Sequence, residues 1–129
     1  MANTKDINER NLEGEGEMDY DYVNDILFFK LKDRNYDFSM EFENMVIDVD
    51  EEKFIVGAQI FNVSEFLGIP KQHLRMIPKW QFKSKVSENS IEVRLFYQIA
   101  IRNQIIRGTP IIIQENRPNL PSSQMAVVN

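Results

Sequence analysis

From Asp25 onward, apolar and polar residues alternate with the period of two that marks a strand with one buried and one wet face. Ile26, Leu27, Phe28, Phe29 and Leu31 form a near-continuous apolar run of strand length, closed by the turn Lys32-Asp33-Arg34-Asn35. Phe38, Met40 and Phe42 then alternate with Ser39, Glu41 and Glu43, and after Asn44 the residues Met45, Ile47 and Val49 alternate with Asp48 and Asp50. A fourth strand runs from Phe54 to Phe61, with Gly57 marking a bulge or a close backbone approach. Asn62-Val63-Ser64-Glu65 reads as a helix entry with Asn62 or Ser64 as N-cap, and Gly68 closes that helix after a turn or two. Pro70 opens a second short turn through Arg75.

The strand rhythm returns at Trp80, Phe82, Ser84 and Val86, turns at Glu88-Asn89-Ser90, and is cleanest in Ile91, Val93, Leu95, Tyr97, Ile99 and Ile101. Asn103 to Pro110 reads as a turn hinged at Gly108, and Ile111 to Ile113 as the last strand. The expected fold is mainly β with minor helix: two antiparallel meanders joined by a short helical connector, packed as a sandwich or a partly open barrel. The expected organisation is a flexible acidic arm at 1–18 and one β-rich domain at 19–115. That domain comprises a first meander with its helix at 19–69 and a second meander at 79–115, followed by a flexible tail at 116–129. The arm follows from Glu13-Gly14-Glu15-Gly16-Glu17, and the tail from Pro118, Pro121, Ser122 and Ser123.

Burial adds a constraint. The first strand carries Ile26 and Phe28 on one face and Leu27, Phe29 and Leu31 on the other, and Ile111 to Ile113 repeats the pattern. A strand apolar on both faces needs cover on both. One short helix covers part of one face, so the second meander, a second copy of the chain or another protein must cover the rest.

Composition narrows the chemistry. The 129 residues carry a net charge of −5 and no Cys, which removes disulfides, thiolate catalysis and Cys-ligated zinc. No apolar run is long enough to span a bilayer and Met1 to Arg10 lacks an apolar signal core, so the expected location is the cytoplasm, with no membrane. The acidic balance disfavours nucleic acid, although the basic stretch 79–102 interleaves Lys83, Lys85 and Arg94 with Trp80, Phe82 and Phe96. His73 stands without a nucleophile elbow, and the five glycines are scattered rather than gathered in a phosphate loop. No catalytic residue, metal ligand set or cofactor is assigned.

Two stretches carry a resemblance. Tyr20-Asp21, Asp25 and the Leu-rich strand 26–31 form the first. The second runs from Val46 to Ser64, a strand, an acidic turn, a Val56-Gly57 strand and Asn62-Val63-Ser64 at a helix entry. Together, over residues 20–69, they resemble domain-of-unknown-function family 2283, a family of small prokaryotic domains. The resemblance implies this strand order for the first half. Through relatives that look like partners in toxin–antitoxin pairs, it also implies an antitoxin-like role.

The functional expectation is a non-enzymatic protein-interaction or regulatory module, antitoxin-like or inhibitor-like, or a small subunit of a larger complex, with another protein or a homodimer as partner. Its contact residues are expected among Phe28, Phe29, Trp80, Phe82 and Phe96, with the acidic segment 6–19 laid over a basic site. The first alternative is a small-ligand or divalent-metal-binding enzyme using Asp21, Asp25, Asp48 and Asp50 at strand ends. The second is a nucleic-acid-associated protein using the 79–102 hairpin.

Overall fold

The Gly-Glu alternation at 13–17 is itself a period-two pattern, and the chain uses it as one. In the computed structural model, which describes residues 10–128, Arg10–Asp21 is a twelve-residue strand, β1. Leu12, Gly14, Gly16, Met18 and Tyr20 turn inward, while Asn11, Glu13, Glu15, Glu17 and Asp19 face solvent. The expected flexible arm is therefore corrected over residues 10–18; residues 1–9 lie outside the described residues. Charge on the outer face costs a strand little, and glycine on the inner face admits a close neighbour.

The remaining elements follow the alternation. They are β2 (Ile26–Leu31), β3 (Phe38–Glu41), β4 (Met45–Val49), β5 (Ile55–Phe61), α1 (Val63–Leu67), α2 (Lys71–Leu74), β6 (Trp80–Val86) and β7 (Ser90–Ile101). After them come β8 (Gln104–Gly108), β9 (Ile111–Glu115) and β10 (Ser123–Val128). All ten strands join one sheet in the order β3-β4-β5-β2-β1-β10-β6-β7-β8, with β9 also on β7. The sheet is not closed into a barrel.

β1 divides its pairing. Arg10 to Glu15 run parallel to β10, and Gly16 to Asp21 run antiparallel to β2. The strand thereby passes from one half of the sheet to the other, and the halves face each other across one core. Leu27, Phe29, Ile47 and Ile60 from the first half share that core with Phe82, Ile91, Leu95 and Met125 from the second, and the rings of Phe29 and Phe82 meet. Gln114 Nε2 donates to Asn44 Oδ1 at 3.2 Å, tying β9 to the β3–β4 turn.

Two further expectations are corrected. The tail at 116–129 supplies β10, whose Ser123, Met125 and Val127 are buried while Gln124 and Ala126 alternate outward. Asn116 anchors the chain ahead of it: its Nδ2 donates to Ser87 O and Leu120 O, and its Oδ1 accepts from Leu120 N. The turn expected over 103–110 is a two-residue hairpin at Arg102-Asn103, both left-handed at φ 50° and 65°, followed by β8. Two successive positive φ values match the right-handed twist of the flanking strands.

Gly16 sits where β1 changes partners, and a Cβ there would overlap the Val127 side chain. Gly16→Ala is expected to cost about 1–3 kcal/mol, the range for overpacking a filled interior. In urea denaturation the Gly16→Ala/Val127→Ala pair should cost less than the sum of its members; strict additivity would contradict the close approach.

Candidate functional site

The four carboxylates proposed to converge do not. Asp21 and Asp25 lie at the start of β2, whereas Asp48 and Asp50 lie at the far end of β4, because β4 and β2 both run antiparallel to β5 between them. Among the described residues no group of three or more His, Cys, Asp and Glu could hold a metal ion.

Each acid has a local task. Asp21 accepts from Asn24 N and Asn24 Nδ2 in the β1–β2 turn, and these bonds, the side-chain one first, hold its carboxyl below the usual range. Asp48 accepts from Ser39 Oγ at 2.6 Å on the outer face. Asp50 is buried: its Oδ1 accepts from Glu52 N and Phe54 N to close the β4–β5 turn, and its Oδ2 lies 3.4 Å from Arg34 Nε.

Asp25 is the cap of α1. Asn62 occupies the N-cap position in a left-handed conformation, but its side chain makes no capping bond. The Asp25 carboxylate takes that place from 39 residues away, accepting from Ser64 N at 3.1 Å and Ser64 Oγ at 2.6 Å, while Tyr20 OH donates to it at 2.6 Å. Burial pushes the Asp25 carboxyl up, but the hydrogen bonds from Ser64 and Tyr20 and the charge of Lys71 outweigh it and leave the group below its ordinary value. Burial, and then the bond to Asp25, push the Tyr20 phenol well above its ordinary value. Tyr20, Asp25 and Ser64 of the family pattern thus converge on one structural hub that pins α1 to the β1–β2 turn.

Strand parity sorts the proposed contact aromatics. Phe29, Trp80 and Phe82 face the core and are 4%, 6% and 0% exposed, so they are interior anchors and not a contact surface. Phe28 and Phe96 stand half-buried on outer faces. Around Phe96 the outer face forms an open depression of about 670 Å³ lined also by Lys83, Lys85, Arg94, Glu13 and Glu92. Lys83 lies over the Phe96 ring at 5.5 Å, and Arg94 pairs with Glu92 at 3.1 Å.

Apart from Ile111 to Ile113, sequence reading placed the exposed apolar surface elsewhere than the structure does. Ile105, Ile106, Ile111 and Ile113 are 60%, 40%, 39% and 64% exposed, all on β8 and β9. These two strands share one register on β7: Tyr97 pairs with Gly108 and Arg94 with Ile111, three residues apart on each strand. Gln104 to Glu115 is therefore one edge, interrupted at Thr109-Pro110, and among the described residues no strand lies beyond it. The opposite edge, β3, has four residues, two of them facing inward. The signal for the long edge was Ile105-Ile106 directly before Arg107 and Ile111 to Ile113 after Pro110.

The first half of the fold, five antiparallel strands in the order β3-β4-β5-β2-β1 followed by a capped helix, is mainly β as read from the sequence, but it is not the expected meander, because β2 pairs with β5 and not with β3. Residues 17–64 match the family model DUF2283, described as a protein of unknown function. Over a longer span the chain is similar to a protein of Methanosarcina mazei named "Putative hypoxanthine phosphoribosyltransferase", 27% identical over 109 residues that cover 84% of this chain and 89% of that one. It is also similar to an uncharacterized protein of Methanocaldococcus jannaschii, 26% identical over 96 residues, 73% of this chain and 83% of that one. No solved structure matches. Among the described residues no helix is long and apolar enough to cross a membrane.

Asp25→Ala is expected to lower stability by about 1.5–3 kcal/mol at neutral pH, the range for hydrogen bonds to a charged acceptor. Because the folded carboxyl is held below its unfolded value, its contribution is complete above about pH 4 and fades as pH falls further. The deficit of the variant should therefore shrink in acid; a deficit that stays constant down to pH 2 would contradict the hub.

Proposed function

We propose that this chain is a non-enzymatic protein-interaction module that engages its partner by strand addition at the Gln104–Glu115 edge. The observation that supports this is the set of four exposed isoleucines on a long edge beyond which no other strand lies among the described residues. An exposed, apolar strand edge offers backbone donors and acceptors together with side-chain area, which is the physical basis of β-augmentation. Antitoxin-like or inhibitor-like action, and service as a small subunit, both use such an edge. The acidic face of β1 acts here as a solvated surface and not as an arm, since residues 10–19 are committed to the sheet.

A second reading is favoured by the name of the Methanosarcina relative and by the depression beside Phe96. Lys83, Lys85 and Arg94 beside an aromatic ring suit a phosphate-bearing ligand with a flat base. A rise in melting temperature with hypoxanthine plus ribose 5-phosphate, lost on Lys83→Ala, would favour it over the first.

The primary reading is tested by copurification from native cells. Wild-type protein should retain a stoichiometric partner or a second copy, and Ile111→Lys/Ile113→Lys should lose it while its circular dichroism is unchanged. Equal recovery with both forms would contradict the edge as the contact surface.

A further inference from the structure

We propose that the partner at this edge is a second copy of the chain, paired antiparallel about a twofold axis at Ile111. The inference rests on the reading of the edge as the interaction surface and adds the occupant and its register.

Backbone polarity comes first. Pro110 O accepts from Leu95 N at 3.0 Å, and Asn116 N donates to Asn89 O at 3.1 Å, so even-numbered residues of this edge bond inward to β7 and the residues before it. Antiparallel ladders alternate, so the N–H and C=O groups of Arg107, Thr109, Ile111, Ile113 and Glu115 point away from the sheet. Pro110 lacks its N–H on the inner side, which leaves the outer row of donors complete. A twofold at Ile111 sets this row against itself: Ile111 faces Ile111, Ile113 faces Thr109, and Arg107 faces Glu115. Five such pairs make about ten backbone hydrogen bonds.

Charge selects the register. Arg107 lies four residues before Ile111 and Glu115 four after it, so the twofold sets each guanidinium beside the other copy's carboxylate, twice. Moving the axis to Pro110 sets Arg107 against Ile113 and Glu115 against Ile105. Moving it to Ile113 sets Glu115 against Ile111. Both leave Glu115 beside an isoleucine, where it loses its pairing. The present partners are cheaply exchanged. Arg107 Nε donates to Gln98 Oε1 on the surface, and Glu115 pairs with Arg117 at 3.0 Å with both side chains largely exposed. The isoleucines gain most, because Ile111 and Ile113 of both copies become one apolar cluster on the joined outer face.

Sedimentation equilibrium of the full chain tests this. Wild type should reach the mass of two 15.2 kDa chains. Arg107→Glu and Glu115→Arg should each weaken association by about tenfold, and the double exchange should restore it, since both salt pairs re-form with reversed sign. Single variants that associate like wild type, or a double variant no tighter than the singles, would overturn the register. A monomeric wild type that still holds a different protein, with loss on Ile111→Lys/Ile113→Lys, would overturn self-pairing and leave the edge reading intact. A monomer without any edge-dependent partner would overturn both.

Discussion

The fold depends on one strand serving two halves. Arg10 to Glu15 of β1 hold β10, and through it β6 and β7, while Gly16 to Asp21 hold β2, and through it β5 and β4. Without that strand the ten-stranded order would break into two separate sheets. Glycine makes the crossing possible at two places: a Cβ at Gly14 would press on Leu31, and one at Gly16 would overlap Val127. Arg10 ties the start of the strand to both halves, donating to Glu52 O, Lys53 O and Ser122 O and lying 4.3 Å over the Phe54 ring. The acids on the outer side of β1 keep the exposed face of this central element soluble without entering the core.

Most of the interior strands were legible, because in β2 to β7 most inward positions are large and apolar and the alternation is plain. β1 was not, since its inward positions include two glycines, and a pattern of small-in and charged-out looks like a linker when only hydrophobicity is weighed. β10 hid behind Pro118 and Pro121, which sit in the approach loop and not in the strand. β8 hid between Asn103 and Gly108: Asn103 does turn the chain, whereas Gly108 is in the ladder, opposite Tyr97, whose ring lies over it. The candidate site was legible in kind but not in place. An Ile-rich last strand with two apolar faces did imply missing cover, and Ile112 is indeed buried while Ile111 and Ile113 are not. Phe29, Trp80 and Phe82 were misplaced because a residue's face follows from sheet parity, which the sequence does not assign. The cap of α1 was out of reach of local spacing, since Asp25 arrives from another strand.

The two edges of the sheet are treated differently. β3 is short and carries Glu41, features that discourage pairing. The β8–β9 edge is long, nearly uncharged and isoleucine-rich, and its two charges stand at equal distances from Ile111. One edge is thus blunted and the other is not, while the family-matched residues 17–64 span the strands on the β2 side of β1.

The central claim is that the Gly-Glu segment is an interior strand of a single sheet. Residue-resolved amide hydrogen exchange on the full chain tests it most directly. The account predicts that those amides of Glu13 to Tyr20 that bond to β10 or β2 exchange as slowly as those at the centres of β6 and β7, since they open only with the whole fold. Exchange of those amides at the rate of an unstructured peptide, with β6 and β7 still protected, would contradict it.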